Sequence, residues 1–262
     1  MILCNIKYGE HERQVFDIYL PEETERRNGI VIGIHGGAWT SGHKELYVDM
    51  GTDLSGKGFA LAAINYRYLS DDSDMSAILA DITASLAQIK KTGSEYGFDF
   101  TRCLMTGGSA GGHLSLLYPY MVGGNAPIES VAAVSFCPPA DLRNRRYIFG
   151  NRLGNEKQMS DLMGKIIGRK IEPEDYEKYG DELFEYSPLK YVTNAVPSAI
   201  GHGAVDSVVP FEDTVELVKK LDELNIEHDF VIYPHSDHDL KADPEADKEM
   251  YRLLYDYIEK YL

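Results

Sequence analysis

Short apolar runs alternate with longer amphipathic stretches along the chain, a pattern typical of a mostly parallel β-sheet covered by helices. Residues 30–34 (IVIGI) are apolar throughout, as expected for a central strand that is buried on both faces. The other predicted strands cover residues 15–20, 59–64, 103–106, 131–136, 198–200 and 230–233. The pattern therefore predicts the α/β fold class.

Apolar residues recur at helical spacing between these strands. The clearest stripe is formed by Met75, Ile78, Leu79, Ile82, Leu86 and Ile89. Ser73 or Asp74 precedes this stripe as its N-cap. Further helices are predicted from about Ala110, over residues 212–224 and over residues 244–262. The last has Asp243 as N-cap and Pro244 at its first helical position.

One segment, residues 141–187, contains no clear strand and is too long for an ordinary connection. We interpret it as a lid inserted into a single domain that spans residues 1–262. Its charge is segregated: residues 143–170 contain eight basic side chains against two acidic ones, and residues 171–187 contain seven acidic side chains against Lys178 alone. The two halves of the lid therefore carry opposite charge.

The composition restricts the classes of binding partner and the cellular compartment that we expect for the protein. The chain has 262 residues and a formal charge of −16, which argues against a nucleic acid or an anionic membrane as the main partner. Three cysteines without a CxxC pattern predict neither a disulfide framework nor a zinc site, and they fit a cytoplasmic protein. We find no signal peptide at the N-terminus and no apolar run of about 18 residues.

The strongest chemical signal is Gly107-x-Ser109-x-Gly111, which follows one predicted strand and precedes a helix. A serine on such a sharp turn projects its hydroxyl from the sheet edge as a nucleophile, and the glycines allow close backbone approach. The alternative is a glycine-rich phosphate loop. That alternative is disfavoured because no lysine follows, as a P-loop requires.

A second signal, HGGAW at residues 35–39, directly follows the strand at 30–34. Its consecutive N–H groups are candidates for an oxyanion hole together with the N–H of Ala110. Gly37 and Ala38 are the preferred donors, with Gly36 as the alternative. Trp39 either lines an acyl-binding site or packs in the core, and we interpret His35 as structural.

The chain resembles the α/β-hydrolase superfamily over residues 15–240. The resemblance rests on HGGAW (35–39), NYRYL (65–69), GGSAGGHL (107–114), SPL (187–189) and HGAVDSVVP (202–210). It is strongest to the small-esterase branch with an HGGxW oxyanion motif. That branch includes BD-FAE proteins, kynurenine formamidases, hormone-sensitive-lipase-like esterases and gut-type acetyl and feruloyl esterases.

The resemblance also implies the remaining catalytic residues, because the family order is nucleophile, acid and then histidine. Asp206 stands where the family places its acid, with Glu212 and Asp213 as rivals that we expect to cap the next helix. Tyr-Pro at 233–234 and the apolar Leu240 place the base at His238, with His235 as the alternative. His113, His202 and His228 are interpreted as structural.

These residues predict a serine hydrolase that forms an acyl-enzyme intermediate and needs no metal or organic cofactor. The favoured function is a carboxylesterase acting on small acyl esters, such as acetyl or feruloyl esters of carbohydrates. The alternatives are an arylformamidase or other amidase, an exopeptidase, and a catalytically silent binding protein.

The lid supplies the candidates for substrate selection. Arg145 and Arg146 lie just after a predicted strand end and are candidates to bind an anionic group of the substrate. The alternative, which we favour, is a solvated basic face that pairs with the acidic half of the lid or with a second subunit in a homodimer. The aromatic residues of the lid form either an aryl or sugar platform or a core of the lid itself. They are Tyr147, Phe149, Tyr176, Tyr179, Phe184 and Tyr186.

Overall fold

The central element is an eight-stranded sheet in a computed structural model that describes residues 1–23, 25 and 28–262. The strands are β1 (Ile2–Lys7), β2 (Val15–Tyr19), β3 (Gly29–Ile34), β4 (Ala60–Ile64), β5 (Arg102–Gly108), β6 (Glu129–Phe136), β7 (Ser198–Gly203) and β8 (His228–Tyr233). Their order is β1-β2-β4-β3-β5-β6-β7-β8. The pairs β1–β2 and β2–β4 are antiparallel, and every other pair is parallel.

In the described part of the chain, seven α-helices connect or flank these strands. They are α1 (Val48–Gly56), α2 (Met75–Glu95), α3 (Ala110–Val122), α4 (Glu156–Ile166), α5 (Gly180–Phe184), α6 (Phe211–Glu223) and α7 (Pro244–Tyr261). The predicted α/β class with a mostly parallel sheet is confirmed. Strand β1 and the helices α1, α4 and α5 were missing from the sequence prediction.

Alternating side chains of β3 pack on opposite faces of the sheet. Ile30, Ile32 and Ile34 join the core beneath α2 and α3, whereas Val31 packs on the face covered by α1 and α7. This is the two-residue period of a strand, and both faces are apolar because helices cover both. The carboxyl end of β3, where the next loop begins, is therefore packed on both faces of the sheet.

Helix boundaries follow their capping residues. The Asp74 carboxylate accepts from the N–H of Ala77 at 3.1 Å, so Asp74 rather than Ser73 is the N-cap of α2. Asp243 occupies the N-cap position of α7, but its carboxylate makes no capping bond and instead binds His235 and Ser236. Helix α7 therefore begins with a side chain that ties it to the loop after β8.

Residues 141–187 form helices and short 3₁₀ turns without a strand. Their apolar side chains join the same core as one face of the sheet, including Leu142, Tyr147, Ile148, Met159, Met163, Ile166, Ile171, Tyr176 and Leu183. Of the aromatic residues considered as a substrate platform, Tyr147 and Tyr176 are thus buried in this shared core. The segment does not have a separate core of its own.

Ion pairs join the basic and acidic halves of this segment. Arg145 pairs with Glu177 at 3.1 Å, and Arg169 pairs with Glu182 at 3.2 Å. Lys157 also reaches an acidic residue of the second half, at 3.2 Å. The opposite charges seen in the sequence therefore face each other within one chain.

Candidate active site

Ser109 lies at the junction of β5 and α3 with φ 56° and ψ −121°. This is the strained turn expected for a nucleophile, because a non-glycine residue rarely adopts positive φ. The turn is held by a hydrogen bond from the Ser109 N–H to the Phe136 carbonyl at 2.8 Å. A Cβ at Gly111 would lie 2.0 Å from the Ile34 carbonyl oxygen, so glycine is required there.

Ser109, His238 and Asp206 form a continuous hydrogen-bonded chain. Nε2 of His238 lies 2.9 Å from Oγ of Ser109, and Nδ1 of His238 lies 2.7 Å from Oδ2 of Asp206. The acid follows β7 and the histidine follows β8, so the carboxyl ends of neighbouring parallel strands bring them together. This arrangement lets the imidazole take the serine proton while the carboxylate fixes its orientation.

The carboxylate of Asp206 is buried and fully engaged. Burial by itself would raise its pKa, but hydrogen bonds from His202 and His238 and from the N–H of Val209 hold the pKa well below the usual range. Oδ1 accepts from the N–H groups of Val208 and Val209, each at 2.8 Å. Asp206 is therefore ionised at neutral pH, as a group that stabilises an imidazolium must be.

The rival acids and the alternative base lie outside this chain of hydrogen bonds. Glu212 and Asp213 are in the first turn of α6, whose N-cap is Pro210, so the expected capping role is wrong. Glu212 pairs with Arg146 at 2.6 Å. His235 is exposed and binds Asp243 instead.

Asp213 is buried, and its environment differs from that of Asp206. Asn144 donates to Oδ1 at 2.7 Å, while Oδ2 has no hydrogen-bond partner among the described residues. Burial raises the pKa of Asp213 to about 7, with Asp141 and Glu212 adding to the effect. Burial therefore destabilises the charged form of Asp213 more than the single hydrogen bond from Asn144 stabilises it.

The loop after β3 supplies the candidate oxyanion hole. Gly37, Ala38 and Trp39 have φ of 106°, 50° and 58°, an unusual run in the left-handed region. A Cβ on Gly36 would lie 3.5 Å from Cβ of Ser109, so this loop passes directly beside the serine. Ala110 is the first residue of α3, where N–H groups have no acceptor within the helix.

His35 holds this loop rather than acting as a base. An N–H of Arg13 donates to Nε2 at 3.0 Å, so the proton lies on Nδ1, which donates to the Gly36 carbonyl at 2.8 Å. The ring stacks on Tyr66 at 4.3 Å, and burial lowers the pKa of His35 to about 4. Arg13 also donates to the carbonyl of Gly42. The structural interpretation of His35 agrees with these contacts, and Arg13 was missed because no motif contains it.

An apolar slot opens on one side of Ser109, beneath α4. Its cavity volume is about 20 Å³, slightly more than the smallest cavity that holds one water molecule. Its lining residues are Ala38, Trp39, Ser109, Pro139, Tyr147, Asn151, Leu153, Met159, Leu162, Met163, Val208 and Val209. Trp39 lines this slot and is also packed in the core, with 4% of its surface exposed.

A wider cleft of about 460 Å³ lies on the other side of Ser109. His238, Leu240 and Phe136 line it, whereas none of these three lines the slot. The imidazole that would protonate a leaving group thus faces the open cleft. Gly37 and Ala38 line the same cleft, next to the serine.

Arg145 and Arg146 line neither the slot nor the cleft. Arg145 pairs with Glu177 and lies over the ring of Phe149, with its guanidinium carbon 4.8 Å from the ring centre. Arg146 binds Glu212, and its second nitrogen donates to the carbonyl of Asp206 at 3.2 Å. The structure therefore does not place them as substrate-binding residues, and Arg146 instead contacts the loop of the catalytic acid.

Three further histidines have structural partners. His113 accepts from the indole N–H of Trp39 at 3.3 Å and donates to the Tyr186 carbonyl at 2.7 Å. Burial lowers the pKa of His113 to about 4. His228 lies on the edge strand β8 and bonds the Ile226 carbonyl. His202 is different, because it contacts the carboxylate of Asp206 at 3.2 Å.

One group of possible metal ligands occurs in the described part of the chain. Sγ of Cys137 and ligand atoms of His202 and Asp206 lie within 4.8 Å of one another, and all three residues are buried. Both oxygens of Asp206 already accept hydrogen bonds from His238 and from backbone N–H groups. Burial raises the pKa of the Cys137 thiol, which disfavours the thiolate that a metal requires. This group is better described as the surroundings of the acid.

The described residues include no helix with the length and apolar character needed to cross a membrane.

Most of the chain is similar to a known protein family. Residues 16–221 match the BD-FAE family model. The probable carboxylic ester hydrolase LipM of Mycobacterium tuberculosis is 30% identical over 230 residues, which cover 83% of this chain and 51% of that protein. The probable isoprenylcysteine alpha-carbonyl methylesterase ICME of Oryza sativa subsp. japonica is 28% identical over 114 residues, which cover 44% of this chain and 27% of that protein. The chain spans about half or less of the length of these relatives.

Solved structures show the same fold. A truncated carbohydrate esterase from gut microbiota superposes with a TM-score of 0.80 at 21% identity, covering 99% of this chain and 95% of that one. Inhibited esterase B from Lactobacillus rhamnosis gives a TM-score of 0.76 at 22% identity, covering 99% and 87%. At these identities the similarity concerns the fold, and the predicted α/β-hydrolase fold is confirmed.

Proposed function

The chain belongs to the BD-FAE family, and from this premise we propose that it is a serine carboxylesterase specific for short acyl groups. The observation that carries the proposal is the chain of hydrogen bonds from Ser109 through His238 to Asp206, at 2.9 and 2.7 Å, on a strained turn beside the HGGAW loop. The family relation and the esterases among its relatives support the same reaction class.

The mechanism follows from these positions. His238 removes the proton of Ser109 as the oxygen attacks the ester carbonyl, and Asp206 stabilises the resulting imidazolium. The N–H groups of Gly37, Ala38 and Ala110 stabilise the oxyanion of the tetrahedral intermediate. His238 then returns the proton to the leaving alcohol, and water releases the acyl group from the acyl-enzyme by the same steps.

The slot and the cleft beside Ser109 bind different parts of the substrate. The leaving alcohol must lie next to His238, which protonates it, and His238 lines the open cleft. The acyl group therefore enters the apolar slot beneath α4, where about 20 Å³ admits an acetyl methyl but no aromatic acid. We propose acetyl esters of bulky alcohols such as carbohydrates as substrates, and the slot argues against feruloyl esters.

A formyl group is smaller than an acetyl group and enters the same slot, so an arylformamidase is the second candidate. A stretch of 115 residues is 29% identical to kynurenine formamidase of Salmo salar and covers 44% of this chain. In that case the arylamine leaving group occupies the open cleft. Parallel assays with naphthyl acetate and N-formylkynurenine distinguish the two activities.

The decisive experiment is a series of p-nitrophenyl esters from acetate to octanoate, with feruloyl esters and acetylated xylo-oligosaccharides alongside. We expect kcat/KM to be highest for acetate and to fall at least tenfold by butyrate, because the slot is filled by one or two carbons. Ser109→Ala folds normally, loses turnover and no longer reacts with a fluorophosphonate probe. Efficient hydrolysis of feruloyl esters would contradict the acyl assignment, and residual turnover by Ser109→Ala would contradict the nucleophile.

A further inference from the structure

The lid is bound to the loop that carries the catalytic acid. Three lid residues each donate to one of three successive carbonyls, those of residues 206, 207 and 208. Arg146 donates to the carbonyl of residue 206 at 3.2 Å, and the N–H of Arg152 donates to the carbonyl of residue 207 at 3.3 Å. Nδ2 of Asn151 donates to the carbonyl of residue 208 at 2.8 Å. The lid therefore contacts the backbone of the acid loop directly.

Asp237 joins the same region to the loop of the catalytic base. Its Oδ1 accepts from the N–H of Ser207 at 2.9 Å and from the N–H of His238 at 2.7 Å. The hydroxyl of Ser207 lies 3.0 Å from both carboxylate oxygens. Oδ2 accepts from the guanidinium of Arg152 at 2.7 Å. One carboxylate thus contacts the acid loop, the base loop and the lid.

The two catalytic loops also pack closely in their backbone. A Cβ at Gly203 would lie 2.4 Å from the Ser236 carbonyl oxygen, and the N–H of Val205 donates to that oxygen at 3.3 Å. The backbone N–H of Ser207, foremost among its donors, lowers the pKa of Asp237, so the group is charged at neutral pH. Asp237 lines neither the slot nor the cleft.

We propose that Asp237 is a positioning residue, held by Arg152 of the lid, that sets the relative placement of Asp206 and His238. The inference rests on the proposed hydrolase function. Asp237 touches no reacting atom; it acts by fixing the backbone of the residue after the acid and of the base itself. The lid segment then stabilises the positions of the catalytic residues and also lines the slot.

Four variants separate the contacts. Asp237→Ala removes all of them. Asp237→Asn keeps an oxygen that accepts from the two N–H groups but loses the ion pair, and Arg152→Gln loses the ion pair alone. Lys157→Gln is the matched control, because Lys157 forms ion pairs only within the lid, with Asp161 and Glu172.

We expect Asp237→Ala to lower kcat for p-nitrophenyl acetate at least tenfold, with KM within about threefold, because small misplacements of catalytic groups affect the transition state most. Asp237→Asn and Arg152→Gln lower kcat about two- to fivefold each. The double variant of these two is no slower than Asp237→Asn, since both changes remove one ion pair. Lys157→Gln leaves kcat unchanged.

Folded Asp237→Ala with kcat within twofold of wild type would overturn the inference, as would additive losses in the double variant or an equal loss in Lys157→Gln. If Asp237→Ala does not fold, the kcat values of Asp237→Asn, Arg152→Gln and their double variant test the inference instead. The rate of fluorophosphonate labelling gives the same comparison without an ester. A wild type that neither hydrolyses esters nor labels shows failure of the proposed function, whereas failure of this inference appears only as a difference between variants.

Discussion

His202 places Nε2 3.2 Å from Oδ2 of Asp206, the same oxygen that lies 2.7 Å from Nδ1 of His238. The carboxylate of Asp206 therefore lies between two imidazoles. Nδ1 of His202 bonds the hydroxyl of Thr214 at 2.8 Å, which fixes the ring from α6. Asp206 is thus held by His202 of the preceding strand β7 as well as by His238.

Replacing Asp206 by Asn tests the importance of this charge. The amide keeps the shape of the side chain but removes the charge that stabilises the imidazolium and the acceptor that fixes its tautomer. We expect kcat for p-nitrophenyl acetate to fall about 10³- to 10⁴-fold while KM changes little. Circular dichroism confirms that the fold is retained, and a loss below tenfold would show that Asp206 is not the acid.

Met163→Ala tests the assignment of the acyl slot. Met163 is fully buried in the wall formed by α4, and truncation creates space beside Ser109. We expect the ratio of kcat/KM for butyrate to that for acetate to rise at least fivefold, with a loss of about 2–5 kcal/mol in stability. The matched control is Met50→Ala on α1, which packs on the opposite face of the sheet. An equal ratio in the two variants would place the acyl group elsewhere.

Asp213 makes stability depend on pH. Its pKa is raised in the folded protein to about 7 from 3.8, so the folded protein holds a proton between these values that the unfolded chain releases. Stability therefore falls as pH rises through this window. Asp213→Asn keeps an acceptor for Asn144, and we expect it to stabilise the protein at about pH 8 by a few kcal/mol and to have little effect at about pH 4.

Urea unfolding of wild type and Asp213→Asn at both pH values provides the measurement. Asp161→Asn is the matched control, because Asp161 is exposed, pairs with Lys157 and is not among the groups that shift the pKa of Asp213. A gain from Asp213→Asn that is the same at both pH values would mean that the carboxyl does not titrate in this range.

The double variant Arg145→Ala/Arg146→Ala tests the anionic-substrate hypothesis. Because both arginines lie outside the cleft and pair with Glu177 and Glu212, we expect KM to change by the same factor for neutral and anionic esters. A loss of kcat common to all substrates is expected, since Arg146 contacts the Asp206 carbonyl. A KM increase confined to anionic esters would restore a binding role.

The residues of the candidate triad were predictable because each is marked by its neighbours in the chain. Ser109 lies between the glycines that its turn needs. Asp206 and His238 were implied by the resemblance to the family, and they follow strands whose carboxyl ends meet at one sheet edge. The sheet itself was predictable for the same reason. Strand β1 was missed because it is a largely exposed edge strand whose apolar and polar residues do not alternate, with an irregularity between Leu3 and Ile6.

Long-range polar contacts were not predictable. Arg13 reaches His35 from the turn between β1 and β2, and Arg152 reaches Asp237 across 85 residues. No local spacing encodes either pair, because a guanidinium finds its acceptor only after the sheet has formed. The sequence likewise showed the basic half of the lid and favoured its pairing with the acidic half. It did not show that Arg146 and Arg152 pair outside the lid, with Glu212 and Asp237.

The difference in size between the slot and the cleft has a consequence for the fate of the acyl group. In the proposed mechanism, the acyl group still fills the narrow slot once the first alcohol has left, and the open cleft is the route by which the next nucleophile approaches His238. Water and a second alcohol thus enter by one path. In concentrated sugar solution the enzyme is then expected to pass the acetyl group from one hydroxyl to another, so that synthesis competes with hydrolysis.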